Sequence, residues 1–236
     1  MIKFFRKIRY NLMEQNKTGK YLKYALGEIV LVVMGILIAL SINNWNENRK
    51  NQKEETRILE QLHQEFLINK ESLAHINTKN KAVLNSLNKI LDLIPIEAQE
   101  INLESLSDYL FQSYDFNTFD PLQGSIEELK SNSFDIISNE KLRSLLLSWN
   151  TIREDFQDDE HFAIDYAKIY NTFMQKFASI DFGLEKPNTD LSFLQSIEFE
   201  NFVRVRQIYY TDIVDSDDFK RVEFTINNII EMTKSE

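Results

Sequence analysis

The chain has 236 residues and a formal net charge of −10 at pH 7, and it contains no cysteine, five glycines and three prolines. The lack of cysteine excludes disulfide bonds, thiolate catalysis and cysteine metal sites, and the excess of acids argues against nucleic acid as a ligand. With so few helix breakers, the composition favours a chain that is helical almost throughout.

An apolar stretch predicts that residues 22–45 form a single transmembrane helix. The 21 residues from 22 to 42 would be about 31 Å long as a helix, close to the thickness of the hydrocarbon core of a bilayer. Tyr21 and Tyr24 at one end and Trp45 at the other match the aromatic residues that anchor a span at the headgroup layers.

A cleaved signal peptide also has a basic region followed by an apolar run. Here the basic region is long, and the apolar run ends at Asn43 and Asn44 without an A-x-A-like cleavage site. These features favour an uncleaved anchor.

The charges on the two sides of the span predict its orientation. Residues 1–24 contain seven Lys or Arg and one Glu, a net charge of +6, and Glu28 is the only charged residue between them and position 46. The chain total of −10 therefore leaves −15 for residues 46–236. The positive-inside rule places the N-terminus in the cytoplasm and the C-terminal part outside it.

Residues 1–21 are predicted to form a cytoplasmic, basic amphipathic segment on the membrane surface. Apolar residues recur there at helical spacing, and basic side chains between them can contact lipid phosphates. The alternative is a basic tail that only sets the orientation. The predicted interface anchors are Arg6, Lys7, Arg9, Tyr21, Tyr24 and Trp45.

Small residues within the span suggest a face for helix packing. Gly27, Gly35 and Ala39 fall on one face at multiples of four residues, and Gly35-x-x-x-Ala39 permits close approach of a second helix. Glu28 beside them either reaches back to the cytoplasmic interface or makes a buried polar contact with another helix, of a second copy or of a separate protein.

Beyond the span, apolar residues recur every three or four positions in three long series, which predicts amphipathic helices. The series cover residues 59–94, 142–177 and 197–230, the last with a break at 215–218. Because each apolar stripe needs a partner, residues 46–236 are predicted to form one antiparallel helical bundle. The expected fold class is all-α, with the transmembrane helix continuing into an extracytoplasmic bundle.

The region between the first two series is less regular. Residues 116–124 contain Pro121 and Gly124 and predict a loop. Ser125 and Glu128 have the spacing of a capping box at the start of the next helix.

Polar residues interrupt the apolar series at a few positions. Asn69 and Asn80 are expected to select the helix register by pairing with matching polar partners, or alternatively to form a polar binding stripe. Asp159 falls on the inward face of the second series, and Arg206 in the third is expected to pair with it or with another acid at the core edge.

The strongest candidate for a metal site is a pair of helical motifs. Glu60-x-x-His63 and Asp158-x-x-His161 mimic half of the carboxylate and histidine pattern of di-iron bundles. The neighbouring inward positions turn Glu60, Asp158 and His161 away from the core, so we expect neither metal nor cofactor. The acidic cluster expected to be solvated comprises Glu154, Asp155, Asp158, Asp159 and Glu160.

The N-terminal part of the chain resembles an uncharacterised family of single-pass inner-membrane proteins of Gram-negative bacteria that carries a domain of unknown function. The resemblance rests on RKIR at 6–9, GKY at 19–21, GEI at 27–29 and INNWN at 42–46. It implies an inner-membrane protein with a helical domain in the periplasm, and it supplies no catalytic residues.

No phosphate-binding loop, nucleophile elbow or other enzyme motif is found in the sequence. An aromatic stripe that includes Trp149, Tyr170 and Phe173 is expected to be core, with a small-molecule pocket as the alternative. We therefore expect a non-enzymatic, membrane-anchored interaction or sensing module. Its partners would be the lipid bilayer and a protein, or a second copy through the span or the bundle. The alternatives are a passive structural or assembly role and, less favoured, an enzyme with an undetected site.

Overall fold

The structure is a computed structural model that describes Tyr10 and residues 18–97, 101–132, 134–179 and 181–234. The chain divides into two compact units, Met1–Thr56 and Arg57–Glu236. The predicted boundaries at 21/22 and 45/46 refer to a membrane, and they stay predictions.

The first helix, α1, covers Thr18–Asp92. It can continue this far because neither glycine nor proline occurs between positions 36 and 92. Lys89 in the last turn is favourable beside the carbonyl end of the helix. Pro95 then follows and disfavours helical geometry in the residue before it, as the sequence predicts.

The apolar part of α1 is long and apolar enough to cross a membrane, and none of its apolar window is buried by the rest of the protein. The side chains of Leu26, Leu31 and Leu40, for example, are more than half exposed. This apolar part fits a membrane anchor, and by length and composition alone it also fits the apolar part of a signal sequence.

The unit Arg57–Glu236 is all-α within the described residues, where no strand occurs. Four of its helices begin behind a short polar residue whose side chain accepts a backbone N–H group: Asn102, Asn139, Ser196 and Ser216. The helix bounds are α2 Leu103–Tyr114, α3 Gly124–Asn132, α4 Glu140–Met174, α5 Ile197–Asp215 and α6 Asp217–Thr233.

Side-chain contacts show the antiparallel order of neighbouring helices. Along α4, Tyr166 contacts Tyr209 and Phe173 contacts Phe202, so that α5 runs in the opposite direction. Side-chain contacts show in the same way that α1 and α2 run antiparallel. The predicted antiparallel bundle is confirmed.

The buried core follows the first apolar series and the α6 part of the third closely. It departs from the α5 part of the third, where Val203 and Tyr210 are buried and Phe202 and Tyr209 are partly exposed, and from the second. On α4 the residues buried near the middle are Phe156, Glu160 and Ala163, and Asp159 is partly exposed. The expectation that Asp159 points inward and Glu160 outward is therefore wrong. A straight α-helix has 3.6 residues per turn, so its buried stripe drifts away from a strict seven-residue repeat over 35 residues.

Candidate functional site

The four residues predicted for packing of the span all lie on α1. A Cβ added to Gly27 or Gly35 would meet nothing within 4 Å, and Ala39 is exposed. Among the described residues, nothing packs against this face of α1 at Gly27 or Gly35. The roles of these residues and of Glu28 in helix pairing stay predictions.

Of the predicted interface anchors, Trp45 is the one whose side chain the structure describes. Its ring is 64% exposed, and the guanidinium carbon of Arg49 lies 5.9 Å from the ring centroid. This is a cation–π contact of the kind found at exposed sites. Outside the described parts lie Arg6, Lys7 and Arg9 and the side chains of Tyr21 and Tyr24.

The bundle carries an open groove of about 550 Å³ between α1 and the start of α3. On the α1 side it is lined by polar and charged residues, among them Glu60 and Gln64, and by Ile68. Leu122 supplies an apolar patch on the opposite side. Ile68 and Leu122 are 54% and 49% exposed, so this apolar surface lies open beside carboxylates.

The start of α3 is tied to α1 by two carboxylates. Glu65 accepts the N–H and the hydroxyl of Ser125 at 2.9 and 3.0 Å, and Glu128 pairs with Arg57 at 2.6 Å. The predicted capping box between Ser125 and Glu128 is wrong, because both side chains bind α1.

The backbone of residues 115–123 has no regular secondary structure, and side chains from the helices satisfy its polar groups. Asn69 on α1 donates to the carbonyl of Leu122 at 2.9 Å and accepts its N–H at 2.7 Å. Gln157 on α4 donates to the carbonyl of Phe119 at 2.9 Å. Buried backbone groups outside helices need such partners. This stretch, the 115–123 segment, contributes Leu122 to the groove.

Two residues of α5 hold the chain where α2 runs into this segment. Arg206 donates to the carbonyl of Ser113, and Tyr210 donates to the carbonyl of Asp115 at 2.6 Å. The guanidinium carbon of Arg206 also lies 5.8 and 5.3 Å from the ring centroids of Tyr170 and Tyr210. A cation is favourable at the carbonyl end of a helix, which explains its position at the end of α2.

These contacts correct two expectations from the sequence. Asn69 binds a backbone segment and not a matching polar side chain. Arg206 binds a carbonyl and two aromatic faces, and among the described residues it forms no ion pair with Asp159 or another acid. The overlooked signal was the loop itself, because Pro121 and Gly124 imply a non-helical stretch whose N–H and C=O groups require partners.

Glu160 is the most unusual ionisable group near this segment. It is 2% exposed, and both carboxyl oxygens accept the N–H of Phe119, at 3.0 and 3.1 Å. Burial, together with the charges of Asp120 and Asp159, raises the pKa of Glu160 to about 8 against the opposing effect of the Phe119 hydrogen bond. The expectation that Glu160 belongs to a solvated cluster is therefore wrong.

The residues of the two candidate metal motifs have different surroundings and do not form a common site. Glu60 lies on the groove, whereas His63 Nδ1 lies 3.2 Å from both the carbonyl of Ile230 and the hydroxyl of Thr233. Asp158 and His161 are exposed on α4. Among the residues that the structure describes, no group of three or more His, Asp or Glu side chains could hold a metal ion.

The aromatic stripe of α4 packs inside the bundle. Tyr170 and Phe173 contact Phe202, with ring centroids 5.7 and 4.9 Å apart, and Trp149 contacts Phe66 at 5.1 Å. Edge-on and tilted contacts at these distances are typical of aromatic cores. These side chains do not line the groove.

Comparison with known proteins gives one match. Residues 28–201 match a family described as a family of unknown function (DUF6090). No curated protein and no solved structure matches the chain.

Proposed function

We propose that this chain, which belongs to the family of unknown function DUF6090, is a membrane-anchored helical module that recognises a protein segment through the groove between α1 and α3. The observation that carries this proposal is the groove itself, where exposed Ile68 and Leu122 lie beside carboxylates. Protein interfaces combine an apolar centre with a polar rim, and this groove offers both kinds of surface.

The charges of the groove indicate the chemistry of the partner. Glu60, Glu65 and Glu128 face the groove with Arg57, which is already paired with Glu128. The net charge of −15 on residues 46–236 extends this acidic field over the whole domain. We infer a partner segment that presents Lys or Arg next to an apolar side chain, because opposite charge steers association and apolar burial holds the complex.

The location of the module is part of the proposal. The apolar portion of α1 would anchor it in the bacterial inner membrane, with the basic N-terminal segment in the cytoplasm and the bundle in the periplasm. The positive charge before the span and the acidic charge after it support this orientation. The bundle would act through its surface, so no catalytic residue is proposed.

Photo-crosslinking in cells tests the groove directly. A crosslinking amino acid is placed at Gln64, which lines the groove and is exposed, and in a matched control at Gln175, an exposed glutamine at the end of α4. The proposal expects a distinct product from position 64 only. The crosslinked partner peptide should contain Lys or Arg close to an apolar residue.

Substitutions in the groove distinguish specific recognition of a partner from crosslinking that results from chance proximity. I68D and E60K both change exposed side chains, so the bundle should stay folded while the product from position 64 is lost. Equal products from positions 64 and 175, or a product that survives both variants, would refute the groove as a recognition site and favour a passive structural role.

A further inference from the structure

The 115–123 segment is held by the carboxyl group of Glu160, which forms no ion pair with a Lys or Arg among the described residues. The N–H of Phe119 is the one hydrogen-bond partner of Glu160 within the described chain. Because the side chain is 2% exposed, water cannot take the place of a cation. An ionised carboxylate in such a site is costly.

The charged groups around Glu160 are themselves acids or are engaged elsewhere. Asp159 on α4 and Asp120 on the segment both oppose its ionisation. On α5, Tyr210, whose own pKa Glu160 helps to raise, donates to the carbonyl of Asp115, and Arg206 donates to that of Ser113. Arg221 on α6 is already paired with Asp155 on α4 and with Asp218 on its own helix.

We propose that protonation of Glu160 controls how tightly the 115–123 segment is held, so that this wall of the groove is held in place on acidification and loosens as the pH rises. The control of the segment follows from the contacts of Glu160 alone. Its consequence for partner binding rests on the proposed function of the groove.

The direction of the effect follows from the two protonation states. As a neutral acid, Glu160 accepts the Phe119 N–H through an oxygen without burying a charge. When its proton passes to water, the Phe119 N–H favours the anion in part, but burial and the neighbouring acids outweigh this bond. The anion is therefore more stable once the segment moves away and lets solvent reach it. Leu122, three residues after Phe119, lies on the same segment and lines the groove.

The size of the effect follows from the two pKa values. Glu160 has a pKa of about 8 with the segment in place, against the ordinary value of 4.5 once it is hydrated. Between these values each pH unit favours displacement of the segment about tenfold, and above about pH 8 the effect levels off because both states are ionised.

Hydrogen–deuterium exchange of the full chain in detergent tests this without any partner. After division by the intrinsic exchange rate, protection of a peptide covering 115–123 should fall about tenfold per pH unit from about pH 5 to 8. In E160Q the amide oxygen can still accept the N–H but cannot ionise, so protection should not change with pH. E154Q, at an exposed position on the same helix, should behave like the wild type.

A second variant keeps the test decisive if E160Q folds poorly. D120N removes a neighbouring charge that opposes ionisation, and it should shift the levelling-off to lower pH. A flat wild-type profile, a steep profile in E160Q or an unshifted profile in D120N would each overturn proton control. None of these results affects crosslinking from position 64, so the two proposals can fail separately.

Discussion

The side chain of Asn69 forms two hydrogen bonds with the backbone of Leu122, donating to its carbonyl oxygen at 2.9 Å and accepting its N–H at 2.7 Å. One side-chain amide thereby pairs with both backbone polar groups of a residue that belongs to no helix. Asn69 is 1% exposed, so its own amide depends on these two bonds. The relationship explains why a polar residue lies in the apolar face of α1.

Replacing Asn69 with Leu should destabilise the bundle by about 1 to 3 kcal/mol, because two backbone groups of Leu122 lose their partners. Chemical denaturation of the full chain in detergent, followed by the fluorescence of buried Trp149, measures this. Asn80 offers a matched control on the same helix, since it is equally buried and its Oδ1 has no hydrogen-bond partner among the residues that the structure describes. N80L should change the free energy of unfolding less than N69L, and the reverse order would contradict our account.

Glu160 should make the stability of the bundle fall as the pH rises. Its pKa is raised in the folded state to about 8 from an ordinary 4.5, so the folded state holds a proton that the unfolded state has lost between these values. The free energy of unfolding should decrease by about 1.4 kcal/mol per pH unit over this range from this group. E160Q should remove this component, which denaturation curves at pH 5, 6.5 and 8 would reveal. This contribution of Glu160 is refuted if the free energy of unfolding has the same pH dependence in E160Q and in the wild type.

If the span pairs with a second copy through its small residues, replacing Gly35 and Ala39 with Leu should lower the yield of crosslinked dimer in membranes. The larger side chains would prevent close approach of two helix backbones. Val33→Leu with Leu37→Ile alters the opposite face at similar volume and should leave the yield unchanged. Pairing through this face is excluded if both double variants behave alike.

The orientation of the chain can be measured with reporters fused after Glu236. A reporter that is active only outside the cytoplasm should be active there, and one that is active only in the cytoplasm should not, because the positive charge lies before the span. Replacing Lys3, Arg6, Lys7 and Arg9 with Gln should weaken this preference. Activity of the cytoplasmic reporter alone would overturn the proposed periplasmic location and, with it, the proposed site of partner recognition.

The sequence predicted the helices well because helix formation is local. The spacing of Leu62, Phe66, Leu73, Val83 and Leu87 marks the buried face of α1, and all five are buried. The break before α6 was also visible, in the acidic residues around Ser216, whose side chain accepts the N–H of Phe219. Such signals depend on neighbours within one or two turns.

The partners of buried polar residues were not predictable in the same way. Asn69, Glu160 and Arg206 all bind backbone atoms of residues 113–122, at least 41 positions away in sequence. Every residue offers a backbone C=O and every residue except proline an N–H, so no side-chain pattern in those residues predicts the contact. Spacing alone therefore placed Asn69 opposite a polar side chain and Glu160 in water.

By itself, the sequence determined the apolar span, the asymmetry of charge across it and the helical character of the bundle, because each depends on composition or on repeats between near neighbours. Only the tertiary structure decided which face of α4 is buried, how the 115–123 segment is held, and that Ile68 and Leu122 share a groove with Glu60. Those outcomes depend on which distant backbone atoms meet a given side chain, and that is settled when the helices pack.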